Sequence, residues 1–170
     1  MKRLYILVII FAVYLVGCRQ EKPGYTFTLP ENYRDWRKPV EEVLTYTVPA
    51  HGNGARIIYA NDTAFDVSKK KMEDGRLRYD YPDTSMIIKE KYESEADIER
   101  ADPVLTIMVK YREDPRAVNG WLYYMKNPGE KTVFVESKMC SGCHDAANEE
   151  HPYFDKNESE NFRDYVFATF

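Results

Sequence analysis

The chain has 170 residues, 44 % of them apolar, with 24 basic against 28 acidic side chains and only three cysteines. That is enough chain for one domain with a core of its own. It is too acidic to suggest a nucleic-acid partner and too poor in cysteine for a disulfide scaffold.

Met1-Lys2-Arg3 precedes an apolar run of 13 residues from Leu4 to Val16, which Gly17-Cys18 closes. A basic start and a short apolar run are the marks of an export signal, and this run is too short to cross a bilayer comfortably. Leu15-Val16-Gly17-Cys18 is similar to the lipobox of bacterial lipoproteins. The reading is therefore a signal peptide over 1–17, a lipid on the Cys18 thiol, a tether over 18–30 and a domain over 31–170. An ordinary signal peptide with an incidental cysteine is the alternative. The protein would face the periplasm, held to a bacterial membrane by its lipid. The outer membrane is favoured, because Arg19 stands where inner-membrane retention is associated with Asp. Removal of Lys2 and Arg3 leaves 22 basic residues against 28 acidic, a net charge near −6. That balance suits a basic redox partner, and equally the solubility of any soluble domain.

In the domain, Pro30 to Trp36 reads as a short helix ended by Lys38-Pro39, and Val43 to Val48 as a strand. His51-Gly52-Asn53-Gly54 is a loop, with His51 expected to be exposed, as is His151. Arg56 to Ala60 is a β-branched strand. Asn61-Asp62 caps a predicted helix from Thr63 to about Lys71, whose lysines would suit its C-terminal dipole. Tyr81-Pro82-Asp83-Thr84 turns into a strand from Ser85 to Tyr92. Its parity puts Ile87, Lys89 and Lys91 on one face and Met86, Ile88, Glu90 and Tyr92 on the other. Charged residues 93–102 connect to an alternating strand from Val104 to Tyr111. An aromatic strand from Trp121 to Met125 and a short one over Val133 to Val135 follow. Successive strands with few short helices predict a mainly β (α+β) domain built on an antiparallel sheet.

Glu136 to Asn148 reads as a helix, and it carries Cys140-Ser141-Gly142-Cys143-His144. Cys-x-x-Cys-His is the attachment signature of a c-type haem. Two thiols spaced by one turn add to the two vinyl groups, and the His that follows reaches the iron as proximal ligand. A structural zinc site would need two further ligands, and there is no second cysteine pair. Cys18, Cys140 and Cys143 are then all accounted for, and export agrees with haem attachment outside the cytoplasmic membrane.

The ordered set of features resembles the cytochrome P460 family, which includes cytochrome c′-beta. It comprises Trp36, Arg56-Ile57-Ile58-Tyr59-Ala60-Asn61, the Pro82-Asp83 turn, Ile88-Lys89-Glu90, Val109-Lys110, Trp121, the haem motif and Asp164-Tyr165-Val166-Phe167. The resemblance implies a mainly antiparallel β fold, a homodimer, and a mono-haem site with an open distal side. It implies either hydroxylamine oxidation, with a lysine bonded to the haem edge, or nitric oxide binding without that bond. Lys89 matches the cross-linking lysine, although the usual Asp-Gly-Thr turn before its strand is here Asp83-Thr84-Ser85. Arg56 matches a position beside the haem pocket, where it could bind an iron ligand or a propionate; a surface ion pair is the alternative. Glu136, one turn before the motif, is a candidate proton acceptor, against the plainer role of an acid at a helix N-terminus. Met86, Met108 and Met125 read as core; one of them on the iron would instead make a simple electron-transfer cytochrome.

Overall fold

The computed structural model describes residues 24–48, 51–150 and 157–168. The expected signal peptide, Cys18 and His151 lie outside them. Among the described residues, no helix is long and apolar enough to cross a membrane.

The core element is a five-stranded antiparallel sheet of β1 (Ala55–Ala60), β4 (Met86–Tyr92), β5 (Val104–Lys110), β6 (Trp121–Lys126) and β7 (Val133–Val135), in that order. Its strands are rich in Ile, Val and Tyr, which suit a pleated surface covered on both sides. A separate hairpin joins β2 (Ser68–Lys71) to β3 (Leu77–Asp80). Among the described residues there are two short α-helices, α1 (Asp62–Phe65) and α2 (Ser137–His144), and a few single 3₁₀ turns. The domain is thus mainly β, as expected.

Register assigns the faces. Ile58, Lys89, Thr106 and Met125 stand opposite one another across β1, β4, β5 and β6, as do Ala60, Ile87, Met108 and Tyr123. These positions share one face, where Ile87, Met108, Trp121 and Tyr123 pack with Tyr79, Tyr81, Val166 and Cys140 of α2. The alternate positions Tyr59, Ile88, Ile107, Leu122 and Tyr124 form the other face, packed against Tyr25, Phe27, Leu29 and Trp36 of the N-terminal segment. Residues 25–29, expected within a tether, therefore pack on the domain: Phe27 stacks on Tyr124 at 4.7 Å between ring centroids.

Three expectations change. The helix predicted to run to Lys71 stops at Phe65, and Lys69, Lys70 and Lys71 belong to β2. The cap itself is as read: the Asn61 side chain accepts from Ala64 N–H at 3.0 Å. What overrides the helix is the Met72–Arg76 turn, with Gly75 at φ 90°, which folds β3 back onto the lysines. The second change is at Val43–Val48, which forms no strand but two isolated bridges, Leu44 to Arg56 and Val48 to Gly52. Third, the helix at Pro30–Trp36 is a single 3₁₀ turn, Tyr33–Asp35. Thr84 takes φ 73°, the conformation that glycine would supply in the Asp-Gly-Thr pattern. Asn61 clamps this turn, its amide donating to the Thr84 carbonyl at 2.9 Å while its oxygen accepts from Met86 N–H at 2.9 Å. The β4 register holds without the glycine.

Candidate functional site

α2 places Cys140, Cys143 and His144 at i, i+3 and i+4, one side of the helix. Cys140 is half-buried against the sheet and Cys143 is exposed, both with free thiols. Burial pushes the Cys140 thiol up, with Cys143 adding to it. The His144 ring is enclosed by Tyr123 (centroids 5.6 Å apart), Phe167 (5.3 Å) and His51 (6.4 Å). Its Nδ1 bonds the Tyr165 carbonyl at 2.9 Å. A carbonyl only accepts, so Nδ1 carries the proton and Nε2 keeps its lone pair. Burial pushes the imidazole down to about 4, so it is neutral near pH 7. A neutral ring with one nitrogen anchored and the other free is the form a metal ligand takes.

Lys89 lies on the same face, half-buried, with Ile58 and Thr106 as strand neighbours. Burial, with the Arg56 guanidinium as second cause, pushes its amine down to about 7. Among the described residues no carboxylate pairs with it. Lys91 and Arg56 stand opposite each other one pleat along, on that face. Arg56 is 2 % exposed. Its Nη2 donates to the Tyr46 carbonyl and its guanidinium sits 4.9 Å from the Tyr46 ring, but its Nη1 has no hydrogen-bond partner among the described residues. The Tyr123 hydroxyl, beside Cys140 and His144, is likewise buried and without a partner among the described residues. Buried donors without acceptors cost free energy, and such groups call for an explanation at the site.

Sequence reasoning missed His51. It was expected to be exposed, yet it is half-buried, and burial with Lys89, His144, Arg56 and Lys91 pushes it down to about 3. Its loop is folded back onto β1 and reaches α2, a contact with no local signature. Glu136 is placed differently from the rest. It is the exposed residue just before α2, and its side chain makes no capping bond. Met108 and Met125 share the motif face while Met86 is on the other.

The donor set fits a c-type haem: two free thiols one turn apart, an oriented imidazole beside them, and an unmet guanidinium donor suited to an anionic oxygen. The family model for Cytochrome P460 matches residues 30–168. No curated protein matches the chain.

Proposed function

The chain belongs to the cytochrome P460 family and is a c-type haem protein, and from that premise we propose that it oxidises hydroxylamine at a haem whose distal side is open. The haem, when bound, supplies an iron that takes the substrate nitrogen as ligand and accepts its electrons. The chain's own residues do the rest. Cys140 and Cys143 hold the porphyrin by thioether bonds, and the Tyr165 carbonyl keeps His144 Nε2 directed for coordination. Lys89 offers an amine that burial holds near neutrality, and so a lone pair for a bond to the porphyrin edge. Arg56 Nη1 donates to a propionate or to the bound ligand. Glu136 takes up protons the substrate loses, and a redox partner protein takes the electrons. The protein works as a homodimer at the periplasmic side of a membrane, anchored through a lipid on Cys18.

The observation that carries this reading is Lys89: a half-buried amine with no carboxylate among the described residues, on the face that bears the haem motif. Burying such an amine without a partner is costly, and a covalent bond to the haem gives it a use. One observation favours a second reading, nitric oxide binding in the manner of cytochrome c′-beta. Glu136 is exposed at the start of α2, and a ligand that loses no proton needs no acceptor.

An intact mass, tryptic map and absorption spectrum of the holoprotein separate the two. For the oxidase, Lys89 is found modified, the main absorption band is red-shifted, and Lys89→Ala restores an ordinary c-type spectrum while abolishing hydroxylamine turnover. An unmodified Lys89 under an ordinary high-spin spectrum rejects the oxidase and leaves the nitric oxide binder.

A further inference from the structure

Two charged residues have so far no role, Lys110 of β5 and Asp164 near the C-terminus, beside Trp121 at the start of β6 and Tyr165. The structure brings them together behind His144. Asp164 and Tyr165 both have positive φ, 48° and 66°. Two consecutive non-glycine residues in the left-handed region are costly and persist only where the surroundings hold them. Here the surroundings do so. Lys110 Nζ donates to Asp164 Oδ1 at 2.7 Å, the two side chains being 3 % and 7 % exposed. The fully buried Trp121 donates from Nε1 to the Asp164 carbonyl at 2.9 Å. Asn148 Oδ1, just past α2, accepts from Arg163 N–H at 2.9 Å and Tyr165 N–H at 3.4 Å. This turn presents the Tyr165 carbonyl to His144 Nδ1, 2.9 Å away.

A buried ion pair is a poor way to gain stability, because desolvating both charges offsets their attraction. Its effect here is to fix a geometry. We propose that Asp164, locked by Lys110, and Asn148 are positioning residues that set the strength of the His144–Tyr165 hydrogen bond. Through it they set the electron donation of the proximal imidazole to iron. A carbonyl held close to Nδ1–H raises the basicity of the ring and lowers the reduction potential of the bound iron. The inference rests on His144 as the axial ligand and is independent of hydroxylamine as substrate.

The test uses the holoprotein, reading the Fe–His stretching band of the ferrous form by resonance Raman and the reduction potential by spectroelectrochemistry. Asp164→Ala and Asn148→Ala are expected to shift the band down and the potential up with haem still covalently attached. Asp164→Asn keeps an acceptor for Lys110 and tolerates the left-handed region, so it is expected to keep the wild-type band; a shifted band there counts against the proposal. Should Asp164→Ala fail to fold, Asn148→Ala, which alters no charge, decides. A band and potential unchanged in Asn148→Ala overturn the proposal. His144→Ala separates this from the haem assignment. If the Fe–His band survives that substitution, another residue ligates the iron and both readings fall. If it vanishes there yet stays unmoved in the turn variants, only the positioning role falls.

Discussion

Two adjacent residues of β4, one on each face of the central sheet, treat their charge in opposite ways. Glu90, on the face covered by the N-terminal segment, is 1 % exposed and fully engaged. It accepts from the Tyr33 hydroxyl at 2.6 Å, Arg34 Nε at 2.7 Å and the Tyr92 hydroxyl at 2.9 Å. Lys89, one residue earlier and on the haem-motif face, has no carboxylate among the described residues, and beside it Arg56 keeps Nη1 unmet. A network closed on itself stabilises the fold, whereas donors left open mark where something else binds. The two-residue period of one strand thus sets a satisfied carboxylate and an amine without a carboxylate, among the described residues, on opposite faces.

The largest effect expected follows from breaking the closed side. Glu90→Ala leaves the Tyr33 and Tyr92 hydroxyls buried without an acceptor, and Arg34 without its ion pair. It should cost about 3 kcal/mol in denaturant unfolding. Lys89→Ala, removing an amine that pairs with no carboxylate among the described residues, should stay within about 1 kcal/mol of wild type. Equal costs for the two variants would erase the distinction between Glu90 and Lys89.

A smaller effect, of about 1–2 kcal/mol, belongs to the anchor of the N-terminal segment. Arg116, bonding chiefly through its side chain, pushes Asp114 down to about 2, and the backbone N–H groups of Arg116 and Tyr25 add to this. Arg116 Nη2 also holds the Tyr25 carbonyl at 2.7 Å. A carboxyl lowered by folding stabilises the native state above its unfolded value near 3.8, and that stability is lost as pH falls toward 2. Urea midpoints taken between pH 5 and pH 2 should therefore drop, and the drop should shrink in Asp114→Asn. An Asp114→Asn profile that matches wild type would show that this anchor does not hold the face.

The smallest effect sharpens the register that keeps Lys89 on its face. Thr84 is a β-branched residue at φ 73° whose N–H donates to the Lys110 carbonyl at 2.8 Å. Thr84→Gly removes the steric cost while enlarging the entropy of the unfolded chain, for a net gain of about 0.5 kcal/mol. A loss of stability instead would mean that the threonine side chain itself supports the turn.

Where a signal was local, it could be read. Alternation along Met86-Ile87-Ile88-Lys89-Glu90 sorted Lys89 from Glu90 because strand side chains alternate whatever the partner strand is. Asn61 was legible as a cap because its bond closes within three residues. The hairpin of β2 and β3 was not. Ser68-Lys69-Lys70-Lys71 has little apolar patterning, and what makes it a strand is pairing with Leu77–Asp80, which lends Tyr79 and Asp80 to the lysines. His51 escaped for a related reason: only the folded chain brings its loop within 6.4 Å of the His144 ring.

The sequence by itself made the haem motif legible, since Cys140, Cys143 and His144 fall on one side of a single short helix and their spacing needs no distant partner. It also determined which residues of β4 would share a face. Only the tertiary structure decided how those groups are tuned. The Tyr165 carbonyl at His144, the Lys110–Asp164 lock behind it and the low amine of Lys89 arise from contacts between residues 21 to 54 positions apart or from burial by several elements at once. Orientation and desolvation are properties of the packed interior, and no local pattern of residues encodes them.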